Sequence, residues 1–328
     1  MKRILITGAC GSIGSALVAK LLRESNIVCA FDNNEDKLFH LNKLFKNNKN
    51  LKIFFGDIKD KERLYQALNG VDEVYHCAAL KHVELSEYNP FESVKTNVIG
   101  TQNLIESSIK RGVKKILVTS SDKAVNPSGI MGASKLLSEK LTINSNSYTG
   151  SDKIKMGCVR FGNVWNTNGS IGPIFRDQIS NSSNINLTDR KMTRFFISID
   201  NAVELCVNAC DNLIGGETFV SNMGAISIGD IASEFIKYSK KSKIIITGAK
   251  AGEKLYEELF TEVESKRTFL FKSMYVIIPD SLDNNSTRFK KLNKKYNNGE
   301  PISTALRSDS LNVKKIKINE LVKKVMNE

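Results

Sequence analysis

The sequence is short of proline and histidine, with five and three respectively in 328 residues. With only 21 glycines besides, collagen-like and low-complexity chains are excluded. His40, His76 and His82 form no metal-spaced cluster, and Cys206 and Cys210, four apart, have no histidine or second pair nearby; no metal site is expected. No apolar run approaches the roughly 18 residues of a spanning helix, so no membrane span is expected. The opening stretch, residues 1–8, is too short in apolar residues for a signal peptide. A soluble, cytoplasmic protein is the expectation. The six cysteines lie mostly in apolar runs, where a free thiol acts as a small buried hydrophobe, and disulfides are not expected.

What is present is ordinary globular composition, 41% hydrophobic and 25% charged, with a length that suits about two domains. The formal net charge is +13. Lysines are spread along the whole chain without helix-turn-helix, zinc-finger or aromatic–basic patterning. This reads as a basic surface suited to phosphorylated ligands, with no specific nucleic-acid partner.

Short apolar runs at residues 4–7, 27–31, 53–55, 73–77 and 115–119 alternate with helical stretches, the clearest at 12–22 and 91–111. Continuously apolar strands separated by helices predict an α/β fold with a doubly wound parallel sheet, a Rossmann fold, and ligands at the carboxyl ends of its strands. Residues 1–164 with about 195–222 are expected to form the dinucleotide-binding domain. Residues 165–194 with about 223–328 are expected to form a smaller mixed α/β domain for a nucleotide-sugar. The lysine- and asparagine-rich tail from Asp280 is expected to be partly loop.

Gly8, Gly11, Ser12, Ile13 and Gly14 stand between the first strand and first helix. Glycines there permit a tight turn, close approach to a pyrophosphate and helix-on-strand packing, and the helix N-terminus attracts phosphate. Asp32 ends the second strand, where a carboxylate accepts from a ribose diol and repels a 2′-phosphate; NAD is favoured over NADP. Asp57 and Ile58 are placed to border the adenine, and the small Ala78 and Ala79 to pass beside the cofactor.

The fifth strand runs into Ser121-Asp122-Lys123, and Met131 and Lys135 stand four apart where the next helix opens. This layout resembles the extended short-chain dehydrogenase/reductase superfamily, and within it the UDP-N-acetylglucosamine 4,6-dehydratases of the CapD-like polysaccharide-biosynthesis family. Residues 79–83, 87–92, 95–101, 160–164, 189–196 and 252–255 also fit that pattern. Met131 occupies the family's usual tyrosine position and cannot carry a proton.

The resemblance implies removal of water from UDP-N-acetylglucosamine across C5 and C6, with NAD or NADP oxidising C4 transiently so that C5–H becomes acidic. Asp122 matches the acid at the C6 hydroxyl and Lys123 the base at C5. Asp122 must then be protonated, which burial favours, and Lys123 neutral, which a nearby positive ring and Lys135 favour. Ser121 is expected on the C4 oxygen and Lys135 on the nicotinamide ribose. Lys81 and Asn163 are candidates for the acetamido sugar, and Arg194, Lys250 and Glu253 for UDP. The 4-keto-6-deoxy product with C5 retained ranks first, released 5,6-ene second and inverted C5 third. A UDP-sugar 4-epimerase and a non-catalytic NAD-binding protein are the alternatives. A homo-oligomer is expected from the resemblance.

Overall fold

A computed structural model describes residues 1–46, 48–149, 154–167, 169–181, 183–239, 241–248, 252–280, 286–297, 301–310 and 316–327. The apolar runs of the first half form β1 (Arg3–Thr7), β2 (Ile27–Asp32), β3 (Leu51–Phe55), β4 (Glu73–His76), β5 (Lys115–Ser121) and β6 (Lys155–Phe161). They pair in parallel in the order β3-β2-β1-β4-β5-β6, and the sheet continues through Thr218–Ser221 to an edge made by Met274–Ile277 and Thr268–Phe271. The strand order reverses beside β1, so β1 and β4 carry the crevice at their carboxyl ends. In register, Thr7 lies opposite both Phe31 and His76.

Helices cover both faces because each strand is apolar on both. Ser12–Arg23 buries Leu17, Val18, Leu21 and Leu22, and shares one core with Ile199–Asn212. The opposite core joins Leu64 of the helix Lys61–Ala67, Leu104 and Ile105 of Gly100–Arg111, and Ile116, Val118 and Cys158 of the sheet. The stretch expected as one helix over 91–111 instead divides into Pro90–Ser93, a wide π turn at Val94–Ile99, and Gly100–Arg111. Gly100 lies against Ile58: an added Cβ would stand 2.7 Å from Ile58 Cδ1. π turns are frequent at functional sites, and this one positions Asn97.

A third core gathers Trp165, Phe175, Ile185, Phe235, Val322 and Val325 in the smaller unit. Residues 268–277, expected there, are instead the antiparallel edge of the large sheet, and Leu292 and Tyr296 share its core. Phe269, Met274, Val276 and Ile277 are buried in the core of the large sheet. Within the tail, Thr287–Tyr296 and Ile318–Met326 are helices. Among the described residues no helix is long and apolar enough to cross a membrane, and no metal-binding cluster occurs.

Candidate active site

The chain leaves β1 through Gly8, whose φ of +66° is open to glycine and strained for other residues. A Cβ on Gly8 would stand 2.6 Å from the Ala78 nitrogen, and one on Gly14 would stand 2.1 Å from the Gly8 oxygen. The Gly11 N–H donates to the Gly8 oxygen (3.0 Å), and Gly11 caps the helix without any side-chain hydrogen bond. Ser12 and Ile13 open that helix, so its first-turn N–H groups face the crevice edge of β1. Such a cradle, closed to any Cβ, fits a pyrophosphate.

Asp32 accepts from the Cys10 N–H at Oδ2 (2.9 Å) and from the Asn34 N–H at Oδ1 (3.0 Å), tying the glycine loop to the end of β2. Asp57 Oδ1 accepts from the Lys59 N–H (2.8 Å). Ile58 is buried beneath Gly100, so its side chain serves the core. Ala78 and Ala79 follow β4, with the Ala78 N–H 3.4 Å from Thr7 Oγ1.

Beyond β5, Asp122–Ala124 make a single 3-10 turn capped by Ser121, whose Oγ accepts from the Lys123 N–H (3.3 Å) and donates to Asp122 Oδ1 (2.7 Å). Lys123 Nζ donates to the same Oδ1 (3.0 Å) and to Asn163 Oδ1 (3.3 Å). Asp122 is wholly buried, and its Oδ2 has no hydrogen-bond partner. Burial presses the Lys123 ammonium toward neutrality, but Asp122 and Glu257 outweigh it and the net shift is upward.

The helix Ile130–Tyr148 packs directly on this turn, since a Cβ on Gly132 would stand 2.3 Å from the Lys123 carbonyl oxygen. Glu87 Oε1 accepts from the Ile130 N–H (2.6 Å) and fixes the helix start. Met131 is 3% exposed, in the wall of the site. Lys135 Nζ donates to the Thr119 carbonyl (2.8 Å), and burial lowers its pKa. His76 bridges Thr7 Oγ1 (2.6 Å) and Thr101 Oγ1 (3.1 Å); burial, and then Lys135, lower its pKa to about 3. Asn97 accepts from the Leu80 N–H (2.8 Å) and donates to the Leu80 carbonyl (3.1 Å) and Ser134 Oγ (2.9 Å). It thereby holds the loop carrying Ala79 and Lys81 against the helix of Met131.

Lys81 lies on the exposed side of that loop, its pKa lowered by burial and by Lys37. Arg194 is nearly buried and donates to the carbonyls of Thr193 (2.7 Å), Lys254 (2.8 Å) and Leu255 (3.4 Å). Its guanidinium thus braces Lys254 and Leu255, where the sequence suggested that Arg194 contacts UDP. Glu253 Oε2 accepts from Thr188 Oγ1 (2.9 Å). Lys250 lies outside the described residues. Sequence reasoning missed Glu257, which is 3% exposed and reaches Lys123 Nζ at 3.7 Å. The motif at 252–255 stops two residues short of it. A glutamate in the apolar run Leu255-Tyr256-Glu257-Glu258-Leu259-Phe260 is the signal that could have found it.

A family model described as polysaccharide biosynthesis protein matches residues 4–279. An uncharacterized membrane protein of Methanocaldococcus jannaschii is 44% identical over 94% of this chain and 96% of its own. A UDP-N-acetylglucosamine 4,6-dehydratase (inverting) of Campylobacter jejuni is 39% identical over 85% of this chain and 83% of its own. Among solved structures, Pen from Bacillus thuringiensis superposes with a TM-score of 0.89 at 35% identity, over 100% of this chain and 98% of that one.

Proposed function

The chain belongs to the polysaccharide biosynthesis protein family, and from that premise we propose that it is a nucleotide-sugar dehydratase, removing water from UDP-N-acetylglucosamine across C5 and C6. The observation that carries this reading is the Ser121–Asp122–Lys123 cluster, built around the wholly buried Asp122 at the carboxyl end of the sheet that holds the glycine cradle. A nicotinamide dinucleotide in that cradle supplies reversible hydride exchange with sugar C4, and NAD is the form favoured by Asp32.

The proton work falls to this chain's own side chains. Lys123 rests as an ammonium, so it must lose a proton before it can accept one from C5. The nearest acceptor is Asp122 Oδ1, 3.0 Å away. That single transfer breaks an N–H bond and forms an O–H bond with no change in net charge. It leaves a neutral amine for C5 and a carboxylic acid for the C6 hydroxyl, so one proton arms both groups. Ser121 Oγ holds Asp122 Oδ1 in place and is the hydroxyl nearest the C4 oxygen in this reading. Lys135, anchored on Thr119, faces the ribose, while Lys81 and Asn163 take the acetamido sugar and Glu253 the UDP side.

The 4-keto product with C5 retained ranks first because the Met131 pattern resembles the retaining branch; a poor proton supply at C5 would favour the 5,6-ene. The test is incubation with UDP-N-acetylglucosamine and either dinucleotide. Mass spectrometry should show loss of water, and NMR of the product should show a 4-keto group with C5 retained. A 4-epimerase would leave the mass unchanged, and a non-catalytic protein would leave the sugar untouched. A 5,6-ene or an inverted C5 would keep the reaction class and replace the product.

A further inference from the structure

Glu257 comes from the far side of the site. It immediately precedes the short strand Glu258–Phe260, remote in sequence from the turn that carries Lys123. Its backbone is fixed on both sides: its N–H donates to Ser308 Oγ (2.9 Å), and its carbonyl accepts from the Ser308 N–H (2.9 Å). The side chain is 3% exposed and stands among three cations. Oε1 lies 3.7 Å from Lys123 Nζ and 3.8 Å from Arg194 Nε, and Oε2 lies 3.8 Å from Lys254 Nζ. None of these approaches is a hydrogen bond, and Oε2 has no hydrogen-bond partner at all. These are ion pairs without hydrogen bonds, so the carboxylate acts on the three cations through space.

Two cations already have other anchors. Arg194 is held by three carbonyls, and Lys254 Nζ donates to the Val125 carbonyl (2.8 Å). Lys123 alone shares its remaining partners, Asp122 and Asn163, with the chemistry. We infer that Glu257 is a positioning residue for Lys123: its carboxylate holds the ammonium in place and protonated, and so decides when the amine is free to act as a base. The charged groups facing this pair are Asp122, Arg194 and Lys254. Burial, supported by the Asp122 charge, raises the Glu257 pKa in spite of the three cations. A proton gained by that carboxylate would release the hold on Lys123. The inference deepens the dehydratase reading and rests on it for the word base. The control of the Lys123 charge stands without it.

The experiment is a direct titration of Lys123 in the full chain. The pH dependence of its acetylation, read by peptide mass spectrometry, is compared in wild type and Glu257→Gln, with folding followed by circular dichroism. Loss of the carboxylate should lower the Lys123 pKa by about one unit or more. Glu257→Asp, which keeps the charge, should restore most of the difference, and it serves alone if the glutamine variant does not fold: its Lys123 pKa should then stay near wild type with lower occupancy of the pair. A Lys123 titration equal in wild type and Glu257→Gln, or a Glu257→Asp protein as shifted as Glu257→Gln, overturns the inference. In a turnover assay the alkaline limb of the kcat profile, where the proton shared by Lys123 and Asp122 is lost, should move down by a similar amount, with KM within about twofold. Absence of any dehydration by the wild type would sink the functional reading and leave the acetylation result to stand or fall separately.

Discussion

The chain buries two clusters of opposite charge, built on different rules. Around Arg160, every guanidinium nitrogen is bonded. Nε and Nη2 donate to the two oxygens of Glu139 (2.8 and 2.7 Å), and Nη1 and Nη2 to those of Glu264 (3.0 and 2.9 Å). Nη1 also donates to the Leu259 carbonyl (3.2 Å). Around Lys123 the contacts are fewer and longer, and Asp122 Oδ2 and Glu257 Oε2 have no hydrogen-bond partner. The planar fork of arginine saturates two carboxylates and rigidly joins β6, the helix Ile130–Tyr148 and the C-terminal half. Lysine beside two part-satisfied carboxylates leaves proton acceptors for something that arrives later. Saturation marks scaffold; incompleteness marks chemistry.

Substitutions in the two clusters should therefore fail in different currencies. Asp122→Asn keeps the shape and removes the proton site, so dehydration should fall by at least about 10³-fold while the urea midpoint moves little. Arg160→Met leaves Glu139 and Glu264 buried without their cation and should cost about 3–5 kcal/mol of stability. Measuring turnover and urea unfolding on both proteins checks the contrast. It breaks if Asp122→Asn unfolds as readily as Arg160→Met.

The N-terminal half of the molecule was the more legible in the sequence. Apolar runs and the Gly8–Gly14 spacing are local features, and β1 to β5 lie on the five apolar runs, with the glycines at the exit of β1. The Ser121–Asp122–Lys123 turn was legible through its pattern. Glu257 was not, since nothing near it in sequence reveals that Ser308, Arg194 and Lys123 converge there. Arg194 carried a charge that reads as a ligand contact, and only tertiary structure shows its guanidinium facing three backbone carbonyls. Residues 268–277 fell inside the span expected for the smaller domain, yet they pair into the large sheet, a long-range pairing that no local pattern announces.

His76 supplies a sharper comparison by pH. It is buried and neutral beside Lys135, with a pKa lowered to about 3 from an ordinary 6.5. The unfolded chain takes up that proton below about pH 6.5 and the folded chain does not, so stability falls as pH drops across this window. Over two pH units the loss should be about 2–3 kcal/mol. Glu264 in the Arg160 cluster is different: burial raises its pKa, but Arg160 and hydrogen bonds lower it on balance, so its contribution is lost only below about pH 4.5. Urea midpoints at about pH 6.5 and 4.5 for wild type and His76→Gln should differ in slope by the His76 contribution. Parallel slopes would mean that the imidazole is already charged in the fold.

Asp32 tests where the border between the two kinds of site runs. Both its oxygens accept backbone N–H groups, as a scaffold residue's would, yet it stands at the end of β2 beside the glycine cradle. Each oxygen retains a second lone pair, enough to accept from a ribose diol without releasing the loop. Asp32→Ala should therefore weaken NAD binding by about tenfold, the equivalent of one charge-assisted hydrogen bond, and weaken NADP less, because repulsion of the 2′-phosphate is removed at the same time. Fluorescence titration with both dinucleotides, run alongside urea unfolding, separates the roles. An unchanged ratio of affinities with a lowered midpoint would class Asp32 with Arg160, as a residue that holds the loop and reads nothing of the ligand.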